Sequence, residues 1–225
     1  MGFLKSKKIL VFAVVLFSIM GFIFYFFYGT PWDMIAYKSK FETYLEDKYN
    51  QDFVIKEISY DFLHGGTYHA YAFSKNYPEV TFHIGQNPKL NEIDDAYHYE
   101  MWRYQAKNEI SPIIEDIFPN RINHAVEVKD FIAPHVTENS NVPNFRDIVT
   151  LEIGIAMNHT KITKENEETE MKKAFRLLEA LYEKDVNIGH FGISYKNKTL
   201  QINSSEIKSV NEYVDVKKWF NDYEK

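Results

Sequence analysis

Eight histidines are the residues of this 225-residue chain best suited to chemistry, because histidine titrates near neutrality and is the commonest metal ligand. His69 and His83 fall in neighbouring strand-like runs and can approach each other if the register is favourable. With nearby acids they are the arrangement that would serve a metal-dependent hydrolase. No His-x-x-x-His pair and no third ligand at fixed spacing accompanies them, so two surface histidines on a sheet face is the simpler reading. Asp94, Asp95 and His98 recur at three- and four-residue spacing, which reads as a solvated helix side. His190, between Gly189 and Phe191 in an apolar run, reads as a partly buried core histidine. His64, His124, His135 and His159 lie in turns or irregular stretches without a partner at diagnostic spacing.

Other chemistries lack their residues. Cysteine is absent, which excludes disulfides, thiolate metal sites, a cysteine nucleophile and a lipidated cysteine. There is no Gly-x-Ser-x-Gly elbow. Gly65-Gly66 is isolated, and the Gly189-x-x-Gly192 spacing lies in a strand rather than before a helix, so no phosphate loop is present. Acidic pairs such as Glu115-Asp116 and Glu167-Glu168 are expected on helix surfaces in a chain that is 26 % charged. No residue is assigned as catalytic, cofactor-binding or metal-ligating.

The most distinctive stretch is residues 9 to 28, ILVFAVVLFSIMGFIFYFFY, uncharged and interrupted only by Ser18. Twenty residues at helical rise span about 30 Å, the thickness of a bilayer's hydrocarbon core. The run is long for a signal peptide and ends in Phe24-Tyr25-Phe26-Phe27-Tyr28, too bulky for a signal peptidase. Tyr25, Tyr28 and Trp32 suit an interfacial aromatic belt. An uncleaved membrane anchor follows, with the lipid bilayer as its partner. Lys5, Lys7 and Lys8 precede the run and Asp33 is the first charge after it, so the positive-inside rule puts the N-terminus in the cytoplasm and the remainder outside. Three of the 26 basic residues and none of the 32 acidic ones precede residue 29, leaving the remainder at a formal charge of about −9, the wrong sign for a nucleic-acid binder. Abundant Lys, Asn, Ile, Tyr and Phe without Cys suits an exported protein of an AT-rich Gram-positive bacterium.

Behind the anchor the chain reads as α+β. Thr30-Pro31-Trp32-Asp33 starts a helix, with Thr30 as cap and Pro31 at the first position. Tyr37, Phe41, Tyr44, Leu45 and Tyr49 form its apolar stripe. Residues 53–60, 67–74 and 79–84 read as an antiparallel meander. A helix is expected from Glu92 to Ile110, with Ile93, Tyr97, Met101 and Tyr104 on one face and a kink or second short helix at Ser111-Pro112. These elements make an α-β-β-β-α domain over residues 31–120, after a basic start and anchor at 1–30. Residues 121–225 read as a second α/β domain: strands at 122–131 and 150–157, a short helix at 144–149, a helix at 163–184 capped by Thr163, strands at 187–195 and 199–203 joined by an Asn197-Lys198 hairpin, and a terminal helix presenting Val216, Trp219, Phe220 and Tyr223. Residues 133–144, with Pro134 and Pro143, read as a loop.

The run YLEDKYNQDFVIKEISYDFL, a Gly-containing turn and YHAYAFSKNYPEVTFHI resemble the N-terminal domain of the YfjL-like family. EMWRYQAKNEISPIIEDIF continues the likeness, and KAFRLLEALYEKD and NIGHFGISYKN are more loosely similar to that family's C-terminal domain. The resemblance implies a short, chiefly Bacillus-type protein with an N-terminal hydrophobic segment, and brings no catalytic or binding residues with it. The leading expectation is a non-catalytic extracytoplasmic binding or interaction module on a single-pass anchor. The alternatives are an envelope hydrolase or metalloenzyme using His69 and His83, and an apolar-ligand-binding module lined by the many Tyr and Phe residues.

Overall fold

A computed structural model describes residues 2–63, 65–90, 92–131 and 142–222. It opens with α1 (Gly2–Tyr28), 27 residues long, whose side chains from Leu10 to Tyr28 are exposed except for the half-buried Ala13. Gly29 and Thr30 break the helix, and α2 (Pro31–Tyr49) begins at once. The expected cap is present: the Thr30 hydroxyl accepts from Asp33 N at 3.1 Å and Pro31 occupies the first position. Asn50, left-handed at φ 49°, closes α2, its N–H donating to Glu46 O.

The chain divides into two compact units after Tyr97. In unit 1, β1 (Phe53–Asp61), β2 (Thr67–Ser74), β3 (Tyr77–Asn87) and β4 (Glu92–Asp95) form an antiparallel sheet in that order. The meander read from the sequence is present. β1 carries a bulge at Lys56: Ile55 pairs with Ala72 and Glu57 with Tyr71. One extra residue shifts the phase of the alternation. Hence Phe53 and Ile55 face inward before the bulge, and Ile58 and Tyr60 pair with the inward Ala70 and Tyr68 after it. α2 covers the inner face with Phe41, Leu45 and Tyr49, all essentially buried.

The helix expected from Glu92 starts at Tyr97 instead. Residues 92–95 pair with β3, Ile84 opposite Asp95, so their backbone groups are satisfied by the sheet. Asp95 is the reason for the switch. Its carboxylate accepts from Tyr97 N at 3.0 Å, capping the helix that follows. It also accepts from Tyr49 Oη at 2.7 Å, from Lys48 Nζ at 2.7 Å and from Tyr44 Oη at 3.3 Å. Burial and the Asp95 charge push the Tyr49 hydroxyl up, keeping it a donor. Burial works against the charge on Lys48, but Asp95 outweighs it and the net shift is upward. Tyr97 fills the core beneath, its ring 4.7 Å from Tyr49, 5.0 Å from Phe82 and 5.1 Å from Phe53.

In unit 2, α3 (Tyr97–Ile117) runs unbroken through Pro112. Of the expected Ile93–Tyr97–Met101–Tyr104 face, Tyr97 and Met101 are buried, Tyr104 is half-buried and Ile93 stands on β4. The longer buried stripe is Trp102, Ala106, Ile110 and Ile114. That stripe belongs to the core of unit 2, which is why the division falls at residue 97 and not at 120. The sheet runs β5 (Asn123–Phe131), β6 (Val149–Met157), β7 (Ile188–Tyr195), β8 (Lys198–Asn203) and β9 (Phe220–Asp222). Only β6 and β7 are parallel, joined by the crossover helix α5 (Glu167–Tyr182). Helical spacing predicts the stripe Met171, Ala174, Phe175, Leu178, Leu181 and Tyr182 for α5. Of these, Met171, Ala174, Leu178 and Leu181 are buried and Phe175 is half-buried, whereas Tyr182 is exposed and Leu177 is buried in its stead. Thr163 does not cap it: a turn at 163–166, closed by Thr163 N donating to Asn166 Oδ1 at 2.8 Å, delays its start. A four-residue helix, α4 (Phe145–Ile148), lies where a short helix was expected, capped by Asn144. After β8 comes α6 (Ser204–Ile207). The terminal helix is replaced by a 3-10 segment (Tyr213–Trp219) and β9, because pairing Leu200 with Phe220 extends the sheet. Tyr223 and residues 133–141 of the expected loop lie outside the described residues.

Asp95 has no exposed side-chain surface, so removing it strands four donors around a cavity. Asp95→Ala should cost unit 1 about 2–4 kcal/mol, at or below the range for broken buried pairs because Lys48 keeps access to water. Denaturant unfolding of the full chain checks this, and Lys48→Met should cost clearly less.

Candidate functional site

The junction between α1 and unit 1 is the most constructed part of the molecule. Gly29 is left-handed at φ 67° and its N–H donates to Tyr25 O at 3.0 Å, the usual closure of a helix by glycine. The glycine also makes room. A Cβ there would collide with the Tyr68 hydroxyl and lie 3.1 Å from the Tyr60 ring. Thr30, 9 % exposed, donates its N–H to Tyr68 Oη at 3.3 Å. Tyr68 is held in turn by a stacked Tyr37 ring at 4.5 Å and by Tyr60 at 5.1 Å. Gln86 completes the cradle, accepting from Tyr68 N and donating to Tyr37 Oη, both at 2.9 Å. One turn further back, Phe62 packs edge-on against Phe27 at 4.6 Å and tilted against Phe26 at 6.0 Å. The apolar helix therefore enters unit 1 without a free tether. The Thr30 cap was legible in the sequence, whereas the Tyr68 cradle was not. Gly29 before Thr-Pro was the available signal.

The outer face of the same sheet, opposite α2, carries both histidines singled out by sequence. His69 is opposite Gly85 and His83 opposite Tyr71, which makes them diagonal neighbours with rings stacked 5.2 Å apart. A shallow hollow of about 670 Å³ there is lined by Glu57, Ser59, Asp61, Tyr71 and the two histidines, among others. The His69 ring covers Gly85. Its Nδ1 is buried there without a partner, while Nε2 pairs with Thr67 Oγ1 at 2.8 Å. Neither nitrogen of His69 is presented to a ligand. Among the described residues no group of three His, Asp or Glu side chains has the geometry to hold a metal ion. Desolvation, and then repulsion from His69, pull His83 below the ordinary histidine range.

Elsewhere the candidates are dispersed. Asp94 and Asp95 stand on β4 and His98 on α3, so the expected single helix side does not form. The His98 ring stacks on Trp102 at 5.6 Å. His190 is half-buried on β7, as expected. His124 accepts from Arg121 Nε at 2.9 Å, and desolvation followed by the Arg121 charge lowers its pKa. Sequence reasoning missed Glu170, which is buried in unit 2, paired with Lys173 at 2.7 Å and accepting from Tyr195 Oη at 3.2 Å. Burial and then Glu170 push the Tyr195 hydroxyl up. This is a donor holding an acceptor in place. An open groove of about 570 Å³ in unit 2 brings Lys129, Thr150, Asn187 and Lys208 together.

Fold and junction define a mixed α/β protein whose N-terminal helix is, among the described residues, long and apolar enough for a membrane span or signal anchor. No protein-family model and no curated protein matches the chain. A crystal structure of a DUF5037 family protein from Ruminococcus gnavus ATCC 29149 is similar over 70 % of this chain and 73 % of that one, at 19 % identity and a TM-score of 0.36.

Two outcomes follow. Gly29→Ala should destabilise unit 1 by about 1–3 kcal/mol, from the left-handed φ plus the collision. Gly29→Asn tolerates that φ but not the collision, so it should also destabilise, and Tyr68→Phe in the Gly29→Ala background should recover part of the loss; thermal melts check all three. The second concerns pH. His83 and His124 have folded pKa values below their unfolded value of about 6.5, so the unfolded state takes up protons first as pH falls. Their contribution is present above that value and is lost as pH drops from it toward the folded values. Between about pH 7.5 and 5.5 the wild type should lose more Tm than a His83→Gln, His124→Gln double variant.

Proposed function

We propose that the chain is an extracytoplasmic module on a single uncleaved anchor, residues 9–28, with the N-terminus in the cytoplasm and the lipid bilayer as its first partner. The observation that supports it best is the exposed apolar surface of α1 continuing into unit 1 through the locked Gly29-Thr30 junction. An amphipathic soluble helix would bury one side, and this one buries none from Leu10 onward. Lys5, Lys7 and Lys8 before the apolar run support the orientation.

The module works by binding an envelope partner and is not an enzyme. His69, the first residue a metal-dependent hydrolase would use, has both ring nitrogens engaged or covered. Its aromatic residues Phe41, Tyr49, Phe53, Phe82 and Tyr97 are buried, with Tyr49, Phe53, Phe82 and Tyr97 packing on one another, which counts against a groove for an apolar ligand. The turn and aromatic pattern of unit 1 fits the YfjL-like resemblance and a Gram-positive source.

Absence of cysteine makes topology directly measurable. Single Ser6→Cys and Asn76→Cys variants in intact cells should differ, with only the second labelled by an impermeant maleimide. The opposite pattern reverses the topology, and a chain shortened at its N-terminus would show cleavage instead.

A further inference from the structure

Among the described residues, four of the six large hydrophobic side chains that unit 1 exposes outside α1 sit at one end of it. Trp32 is 71 % exposed, Ile35 72 %, Leu63 75 % and Leu90 62 %. Trp32 and Ile35 share a side of α2 within about 6 Å of its start. Leu63 is in the β1–β2 turn, whose neighbouring Phe62 packs on Phe26 and Phe27 of α1. Leu90 is in the β3–β4 turn, and the two turns lie side by side, since a Cβ placed on Gly65 would be 3.6 Å from Pro88 Cβ. All three segments are thus at the end of the sheet where α1 arrives. The other two exposed residues, Tyr71 and Tyr77, lie on the outer sheet face and toward the far end. That far end is polar: Lys75 pairs with Asp52 at 3.0 Å, and Asn76 Nδ2 donates to Gln51 at 3.1 Å.

From this we infer that Trp32, Ile35, Leu63 and Leu90 form a membrane-docking face that sinks into the interfacial layer of the bilayer around the anchor. The inference rests on the reading of residues 9–28 as a membrane span. Apolar side chains that water would otherwise surround gain from burial, and beside the end of a spanning helix the nearest apolar medium is lipid. The interfacial layer is about 5–8 Å deep on each side, matching the first turns of α2. Trp is the residue favoured at that depth. Charges near the face are mixed, with Asp33, Asp61 and Glu92 against Lys89. The contact is therefore apolar and independent of anionic headgroups. Its consequence is to set the tilt of unit 1: three points around the anchor touch the surface, so the unit stands with its polar end away from the membrane.

The test uses the full chain in phosphatidylcholine vesicles with single cysteines carrying an environment-sensitive fluorophore: Leu63→Cys, Leu90→Cys, Met20→Cys in the anchor and Asn76→Cys at the far end. Nitroxide lipids labelled near the headgroup or deep in the chain serve as quenchers. Expected are a blue shift at 63 and 90 and quenching by the shallow nitroxide amounting to about half the loss at Met20 or more, with none at 76. Adding phosphatidylglycerol should change nothing. Positions 63 and 90 behaving like 76 while Met20 is quenched overturn the docking face and leave the anchor standing. An unquenched Met20 overturns the anchor and the face with it. Quenching at 76 as well overturns the upright placement, and dependence on phosphatidylglycerol overturns the apolar nature of the contact.

Discussion

The hydroxyl of Tyr68 occupies the space that any side chain at residue 29 would need. That single exclusion organises the first half of the molecule. It requires glycine at the break after α1, and glycine in turn permits the left-handed turn that sends the chain from α1 into α2. The same hydroxyl accepts the Thr30 N–H, leaving the Thr30 side chain to cap α2. An apolar helix is thereby joined to the sheet by two residues, one held by the Tyr68 hydroxyl and both by backbone or side-chain hydrogen bonds. A flexible tether would let unit 1 sample many orientations, whereas this junction gives it few.

Unit 1 depends on a second constraint at its other border. Asp95 ends β4, caps α3 and ties α2 to the sheet through Lys48, Tyr44 and Tyr49. One buried carboxylate satisfied by four donors is tolerable in a core, because the hydrogen bonds replace its hydration. The next residue but one, Tyr97, is both the first residue of α3 and a core residue among Tyr49, Phe53 and Phe82. Strand, cap and helix start are thus compressed into a few residues that read, by spacing alone, as helix.

The histidines show how little spacing alone can say about chemistry. His69 and His83 do come together, as their strand positions suggested, yet the register sets His69 over Gly85 and turns its second nitrogen to Thr67. Proximity survived the folding and availability did not. Glu170 is the converse case: an acid in an acidic helix turn, indistinguishable in sequence from Glu167 and Glu168, yet buried because Tyr195 and Lys173 meet it there.

What the sequence by itself determined is local. The apolar length of residues 9–28, the Thr30-Pro31 start of α2, the β1–β3 meander and the β7–β8 hairpin all rest on period, caps and turn residues a few positions apart. Tertiary structure alone decided the rest. The Lys56 bulge, the conversion of residues 92–95 into β4, the choice of Trp102, Ala106, Ile110 and Ile114 as the buried side of α3, and the extension of the sheet by β9 depend on which distant strand or core is within reach. The same holds for the junction, where Gly29 and Tyr68 are 39 positions apart and Phe27 and Phe62 are 35 apart. Such pairs carry no local signal, because the space they share exists only once the sheet has formed.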